Sequence, residues 1–341
     1  MYVGVHILMI VGTMVEISSS QIVNLEYWMG NLPDQLKDVP LIYLAIPGSH
    51  DSMTYGINRS SELAPDAEPV LHRLFPLFRG TIIRWTVTQS LTTMQQLLIG
   101  IRYLDLRLAT KTGSSDFYFT HGLYANEISG ALNEVKEFVD SHPGEVVILD
   151  FQHFYGFTAE DHQTLMRLLL NMYRHRLVPR HIDVRSVTLN TLYRLRQQVV
   201  VVYRHQSVYA TNEFWQPQTM PSPWPQRERP LSLLAFLEGL KRHPGMGFVH
   251  QAVLTPTPQF IVLRFRSTLR DKCAVPVKNE VLPKLREFTP GPPLASQNTS
   301  LAPVNVVIAD FVELDDAIFS RTIIELNSKL LRNTDIVYHN G

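Results

Sequence analysis

Val199-Val200-Val201-Val202-Tyr203 is the run that decides the fold. β-branched residues in unbroken succession, with no polar alternation, suit a strand buried on both faces of a parallel sheet. Working outward, Leu41 to Ile46, Ile101 to Leu108, Phe117 to His121, Val146 to Phe151, Gly247 to Leu254 and Val304 to Phe311 also read as strands. Helical periods separate them. Ile128, Leu132, Val135, Phe138 and Val139 recur at spacings of three to four and make one apolar stripe. Leu165, Leu168, Leu169 and Met172 repeat it, with Thr158 and Asp161 as a capping box at the start. Helices are also expected over Leu231 to Lys241 and Asp315 to Leu331, and a weaker one over Val277 to Glu287, which Pro283 interrupts. Asn58 to Arg79 and Phe214 to Pro230 read as proline-bearing excursions. Strand-helix alternation along most of the chain means a parallel α/β fold, either an open sheet or a closed barrel. No glycine-rich phosphate loop follows the first strand, which removes the main sign of nucleotide binding.

The chain has 341 residues, long for an ordinary domain but normal for one α/β barrel. Its charge is balanced, 31 basic against 31 acidic residues, which argues against a nucleic-acid partner and shows no polybasic block for anionic lipid. The single Cys273 excludes an internal disulfide and a thiolate metal site, so a reducing compartment is the simpler setting. Residues 1–21 form an apolar leader with the core of a signal peptide but no preceding Lys or Arg, and with His6 inside it. It is too short for a clear membrane span. We therefore expect one domain over residues 22–335, cytoplasmic, or secreted if residues 1–20 act as a signal.

Chemistry concentrates at strand ends. Pro47 and Gly48 end the first strand sharply and turn out His50 and Asp51. Asp105 and Arg107 lie two apart in an apolar strand, so they share a face, and the acid supplies the partner that a buried Arg needs. His121 follows another strand, before Gly122. Asp150 and Asp310 each close an apolar run. Each has a structural alternative: a turn His-Asp pair, a buried ion pair, or an acid capping the next helix. Together, two imidazoles and a fixed guanidinium can cleave a phosphodiester without a metal.

Ala45-Ile46-Pro47-Gly48-Ser49-His50-Asp51-Ser52, Arg102-Tyr103-Leu104-Asp105-Leu106-Arg107, His121-Gly122, Val146-Val147-Ile148-Leu149-Asp150-Phe151 and Ala309-Asp310-Phe311-Val312-Glu313-Leu314 together resemble the X-box region of phosphatidylinositol-specific phospholipases C. The match is closest to the X-domain-containing proteins and runs from about Leu25 to Leu331. The resemblance implies a distorted TIM-type (β/α) barrel and a phosphoric diester hydrolase acting on a phospholipid, most simply phosphatidylinositol. It casts His50 as general base, His121 as general acid, Arg107 as the group neutralising the phosphate, Asp310 as the partner of His50 and Asp51 as support for the acid step. It also implies that Asp105, Asp150, Gln152 and Arg204 contact substrate. Calcium-dependent relatives have an Asn beside the first His, an acid pair in the second strand and a Glu in the fourth motif. Here those places hold Asp51, Asp105 with Arg107, and Gln152. The pattern implies the metal-independent type, with no cofactor.

His250-Gln251-Ala252-Val253-Leu254 lacks the Asp and Tyr that contact the inositol ring in bacterial relatives, which leaves the head group open. We expect a monomer that meets a phospholipid membrane surface transiently, with Trp215 and Trp224 as candidate interfacial residues and a folded-down or protein-binding loop as the alternative. The rival function is a catalytically weak phosphoinositide- or protein-binding module on the same barrel. A third is another phosphodiesterase, which the position of Arg107 argues against.

Overall fold

The computed structural model describes residues 24–180, 183–293 and 302–332, and the apolar leader lies outside them. Among the described residues one sheet holds eight strands: β1 (Ile46–Ser49), β2 (Tyr103–Thr110), β3 (Phe117–Thr120), β4 (Tyr124–Glu127), β5 (Val147–Tyr155), β6 (Val199–Tyr203), β7 (Val249–Gln251) and β8 (Val306–Ala309). Six run parallel in the order β6-β5-β2-β1-β8-β7. β3 and β4 form an antiparallel hairpin on the far half of β2, beginning at Leu108 opposite Phe119. The proline-bearing stretch after β6 fills the gap between β6 and β7. The Trp215 N–H donates to Val201 O at 2.7 Å, while Thr219 O and Pro221 O accept from the N–H groups of Gly247 and Val249, each at 2.9 Å. Toward β7 this stretch offers only carbonyls, so prolines are tolerated there. The result is a distorted TIM-type barrel.

Alternate strand residues point inward. Successive inward positions pass from apolar to polar toward the carboxyl ends: Ile46 and Gly48 to His50, Tyr103 to Asp105 and Arg107, Ile148 to Asp150, Val200 and Val202 to Arg204, Val306 and Ile308 to Asp310. The apolar members pack with Trp28, Trp215 and Met220 in one core. The intervening Leu104, Leu106, Leu149, Phe151 and Val201 face the helices in a second. Gly48 is required by this closeness, because a Cβ there would sit 2.9 Å from the Ile308 and Tyr103 side chains.

Several expectations are corrected. The first strand starts at Ile46, because Leu41–Tyr43 forms a 3-10 turn. The Asn327 side chain takes both polar groups of Ala45, at 2.8 and 2.9 Å, where a ladder would otherwise form. β4 was not legible, since Tyr124-Ala125-Asn126-Glu127 shows no apolar alternation. Half of the first excursion is a helix, Pro69–Thr86, with Pro69 in its first turn and Pro76 kinking it at Phe78 (φ −123°). Pro283 lies in the first turn of Leu282–Leu285, after wide helical turns over Arg270–Ala274 and Val277–Val281. Trp215 is 1% exposed and its Nε1 donates to Val178 O at 3.0 Å, so it is a core residue and not an interfacial one. Trp215→Ala should therefore cost about 3–5 kcal/mol of unfolding free energy. Trp224→Ala, at a ring 37% exposed, should cost under about 1 kcal/mol. Urea midpoints of the two variants check this, and equal losses would contradict the assignment.

Candidate active site

His50 leaves β1 at the carboxyl end of the barrel, and the chain turns at once through Asp51, whose φ of 40° lies in the left-handed region. Side chains from one loop hold this turn. Thr88 Oγ1 donates toward the carbonyls of His50 and Asp51, both at 3.1 Å, and Gln89 Nε2 donates to His50 O at 3.0 Å and Ala309 O at 2.9 Å. The last contact ties β1 to β8 beside Asp310.

Six of the sequence-derived residues meet around one carboxylate. Asp51 Oδ1 lies 2.6 Å from Arg107 Nε, and Asp51 Oδ2 lies 3.3 Å from the Nε2 atoms of both His50 and His121. His50 Nδ1 is 2.7 Å from Asp310 Oδ1, and His50 Nε2 is 3.2 Å from Arg107 Nη2. His121 Nδ1 donates to Thr86 O at 2.7 Å, which leaves Nε2 to face the cluster. The two imidazole centroids are 6.3 Å apart. Arg107 takes Asp51 as its close partner; Asp105, expected in that role, is 3.9 Å away and instead accepts the Asp51 N–H at 3.2 Å. The side chains of His50, Asp51, Asp105 and Asp310 are all 5% exposed or less, whereas Arg107 reaches 17% and His121 28%. An incoming anion thus meets the guanidinium and His121 first.

Asp150, Arg204 and Gln152 form a neighbouring layer. Arg204 grips Asp150 bidentately at 2.8 and 2.7 Å, Tyr103 Oη donates to Asp150 at 2.6 Å, and Gln152 Nε2 donates to Tyr103 Oη at 3.1 Å. Sequence reasoning missed His153. A bulge after Phe151 lets Gln152 slip and sets His153 opposite Arg107, and no sequence signal marks that bulge. It also missed where Trp224 goes. That ring lies 5.4 Å from the His50 ring and 5.9 Å from the Arg107 guanidinium, covering the cluster.

The charges set one another. Burial alone would lower the pKa of His50, but Asp51, Asp310 and Asp105 outweigh it and raise it to about 9. Burial would raise Asp51, yet Arg107 and the two imidazoles hold it below the usual carboxylate range. Burial, reinforced by the Asp51 charge, lifts Asp105 to about 6 despite Arg107. Partial burial and then the Arg107 charge lower His153. Among the described residues His50, Asp51 and Asp105 form a group whose ligand atoms lie within 4.8 Å of one another, the size of a metal site. They do not fit calcium, which needs six or more oxygens, because the Arg107 cation already sits on Asp51.

With this geometry in hand, the chain can be set beside known proteins. No protein-family model matches it. It is 35% identical to PI-PLC X domain-containing protein 3 of Mus musculus over 310 residues, 88% of this chain and 92% of that protein. It is 35% identical to protein 2 of Mus musculus over 321 residues (92% and 90%), and 34% identical to protein 1 of Homo sapiens over 316 (90% and 93%). The chain belongs to the PI-PLC X domain-containing protein family. Its fold matches solved phosphatidylinositol-specific phospholipases C. The TM-score is 0.60 at 14% identity for that of Staphylococcus aureus, covering 89% of this chain and 98% of that one. For that of Listeria monocytogenes it is 0.55 at 18% identity, covering 89% and 99%. No helix among the described residues is long and apolar enough to cross a membrane.

The His50 charge is favoured by folding, so its contribution to stability is complete below 6.5 and is lost as pH rises through about 9. Melting temperature should fall across that window, and His50→Gln should remove much of the slope. Parallel curves for the two proteins would refute the carboxylate cage.

Proposed function

We propose that this protein is a metal-independent phospholipase C-like phosphodiesterase acting on phosphatidylinositol. The observation that carries the reading is the convergence of His50, His121 and Arg107 on Asp51, with Asp310 behind His50. In this scheme Arg107 neutralises the non-bridging oxygens of the phosphodiester, exchanging part of its contact with Asp51 for the substrate. His50 Nε2 takes the proton of the inositol 2-hydroxyl, whose oxygen bonds to phosphorus. The phosphorus–glycerol oxygen bond breaks in line, and His121 Nε2 delivers a proton to the leaving oxygen. The products are diacylglycerol and a cyclic inositol phosphate. Asp310 keeps the His50 Nδ1–H pointed away, so that Nε2 faces the hydroxyl. Asp51 balances the two imidazoles, and the layer of Asp105, Asp150, Gln152 and Arg204 lines the head-group side.

The high pKa of His50 has a kinetic consequence. The pair must hold one proton, on His121, while His50 is neutral. The contact from Arg107 Nη2 favours that form, since a guanidinium can only donate. The alkaline limb of kcat/KM should lie near the raised pKa of His50, about 9. Asp310→Asn removes a carboxylate that raises His50, so it should move that limb to lower pH. A limb that stays in place would separate Asp310 from the proton transfer.

Purified protein with phosphatidylinositol, with and without chelator, tests the core of the proposal. His50→Ala and His121→Ala should each lower kcat about 10²–10⁴-fold, and Arg107→Met about 10²–10³-fold. Calcium chelation should leave turnover intact, and complete loss in chelator would overturn the arginine-for-metal reading. The alternative is a binding module on the same barrel, which the Trp224 ring over His50 and Arg107 favours. Wild-type turnover no higher than that of His50→Ala would select it.

A further inference from the structure

Asp66 lies outside the cluster, in the excursion between β1 and β2, yet both of its oxygens are spent on the residues that flank His121. Oδ1 accepts from the Thr120 hydroxyl and Oδ2 from the Gly122 N–H, each at 2.6 Å. Gly122 turns there at a φ of 68°, in the left-handed region, and the His121 N–H donates to Leu123 O at 3.1 Å. Hydrogen bonds to an ionised carboxylate are the stronger kind. Two of them across one turn fix the chain on either side of the residue between them.

The chain around Asp66 pairs with the same turn. The Ala64 N–H donates to Gly122 O at 3.1 Å, the Tyr124 N–H donates to Glu62 O at 2.9 Å, and Leu63 bridges Leu123 in antiparallel register. Beneath this short ladder Leu63 packs against Ile57, Phe75 and Leu123. At the far end of the helix Pro69–Thr86, Thr86 O takes the His121 Nδ1–H at 2.7 Å. One excursion therefore holds His121 twice, its backbone through Asp66 and its ring through Thr86. The other ring nitrogen, Nε2, faces Asp51 at 3.3 Å, and 28% of the side chain is open to solvent.

We infer that Asp66 is a positioning residue for proton delivery by His121. The inference rests on the role proposed above for His121, the acid that protonates the leaving oxygen. A general acid works only within hydrogen-bond reach of that oxygen, and a misplacement of about 1 Å can cost about a hundredfold. His121 sits in a hairpin turn, the kind of segment that moves readily unless it is tied down. Asp66 supplies the tie without touching substrate. Its geometry also predicts which substitution is tolerated. In Asp66→Asn the amide oxygen can accept from the Gly122 N–H while the NH₂ donates to Thr120 Oγ1. The Thr120 hydroxyl hydrogen then turns to Leu123 O, 3.4 Å away. Asp66→Ala loses both contacts.

Two soluble substrates that differ in their leaving group test this on the full chain. Dihexanoyl phosphatidylinositol loses an alkoxide that needs a proton, whereas 4-nitrophenyl inositol phosphate loses a phenolate that does not. Asp66→Ala should lower kcat about ten- to a hundredfold on the first and less than about twofold on the second, with KM unchanged. Asp66→Asn should restore most of the loss. A merely structural acid would lower both substrates alike, and equal losses in Asp66→Ala overturn the inference. The imidazole nitrogen resonances of His121, assigned by their disappearance in His121→Ala, give a readout independent of turnover. Asp66→Ala should shift them and Asp66→Asn should leave them near their wild-type positions. Unmoved resonances in Asp66→Ala overturn the inference whether or not the protein is active. Shifted resonances with no wild-type turnover of either substrate support the tie and remove the catalytic proposal. If His121→Ala itself loses as much on the 4-nitrophenyl substrate as on the lipid, His121 is not the acid, and the inference falls while His50 and Arg107 stand.

Discussion

A single buried carboxylate holds the candidate site together. Asp51 is 3% exposed, sits at a positive φ, and touches one guanidinium and two imidazoles. Isolated, an ionised carboxylate at that depth would cost far more than a backbone turn can repay. Surrounded by Arg107, His50 and His121 it stays charged, and its charge in turn raises the pKa of His50. The interaction is mutual: the Asp51 charge holds His50 up, and the Arg107 charge holds Asp51 down. Thr88 and Gln89 matter for the same reason. They hold the turn that brings Asp51 to the point where the guanidinium and both imidazoles can reach it.

The barrel makes this arrangement possible by dividing each inward strand face in two. Near the amino ends, Ile46, Tyr103, Ile148, Val200 and Val306 pack in one buried cluster. One or two inward steps later the same faces carry His50, Asp105, Arg107, Asp150, Arg204 and Asp310. A rigid apolar floor fixes the positions of the charged groups above it, which is what preorganised acid-base chemistry requires. The proline-bearing stretch between β6 and β7 has two tasks. It closes the barrel through Trp215, Thr219 and Pro221, and it carries Trp224 over His50.

The calcium-free reading also reduces to one position. The Arg107 guanidinium places a fixed positive charge on Asp51, covalently attached to β2, and that charge is what the calcium-free proposal rests on.

Local pattern alone determined a good deal here. Period-two alternation placed Asp105 and Arg107 on one face, and the Pro47-Gly48 break marked His50 as a strand-end residue. The apolar runs ending at Asp150 and Asp310 showed that acids lie at carboxyl ends. These features depend on neighbours within a few residues, so a linear reading finds them. Tertiary structure alone decided the rest. That Arg107 pairs with Asp51 more closely than with Asp105, that a bulge brings His153 opposite it, and that Trp215 is buried while Trp224 covers the site all depend on partners dozens of residues away. Charge and hydrophobicity are counted along the sequence, but they act through distances that only the closed barrel fixes.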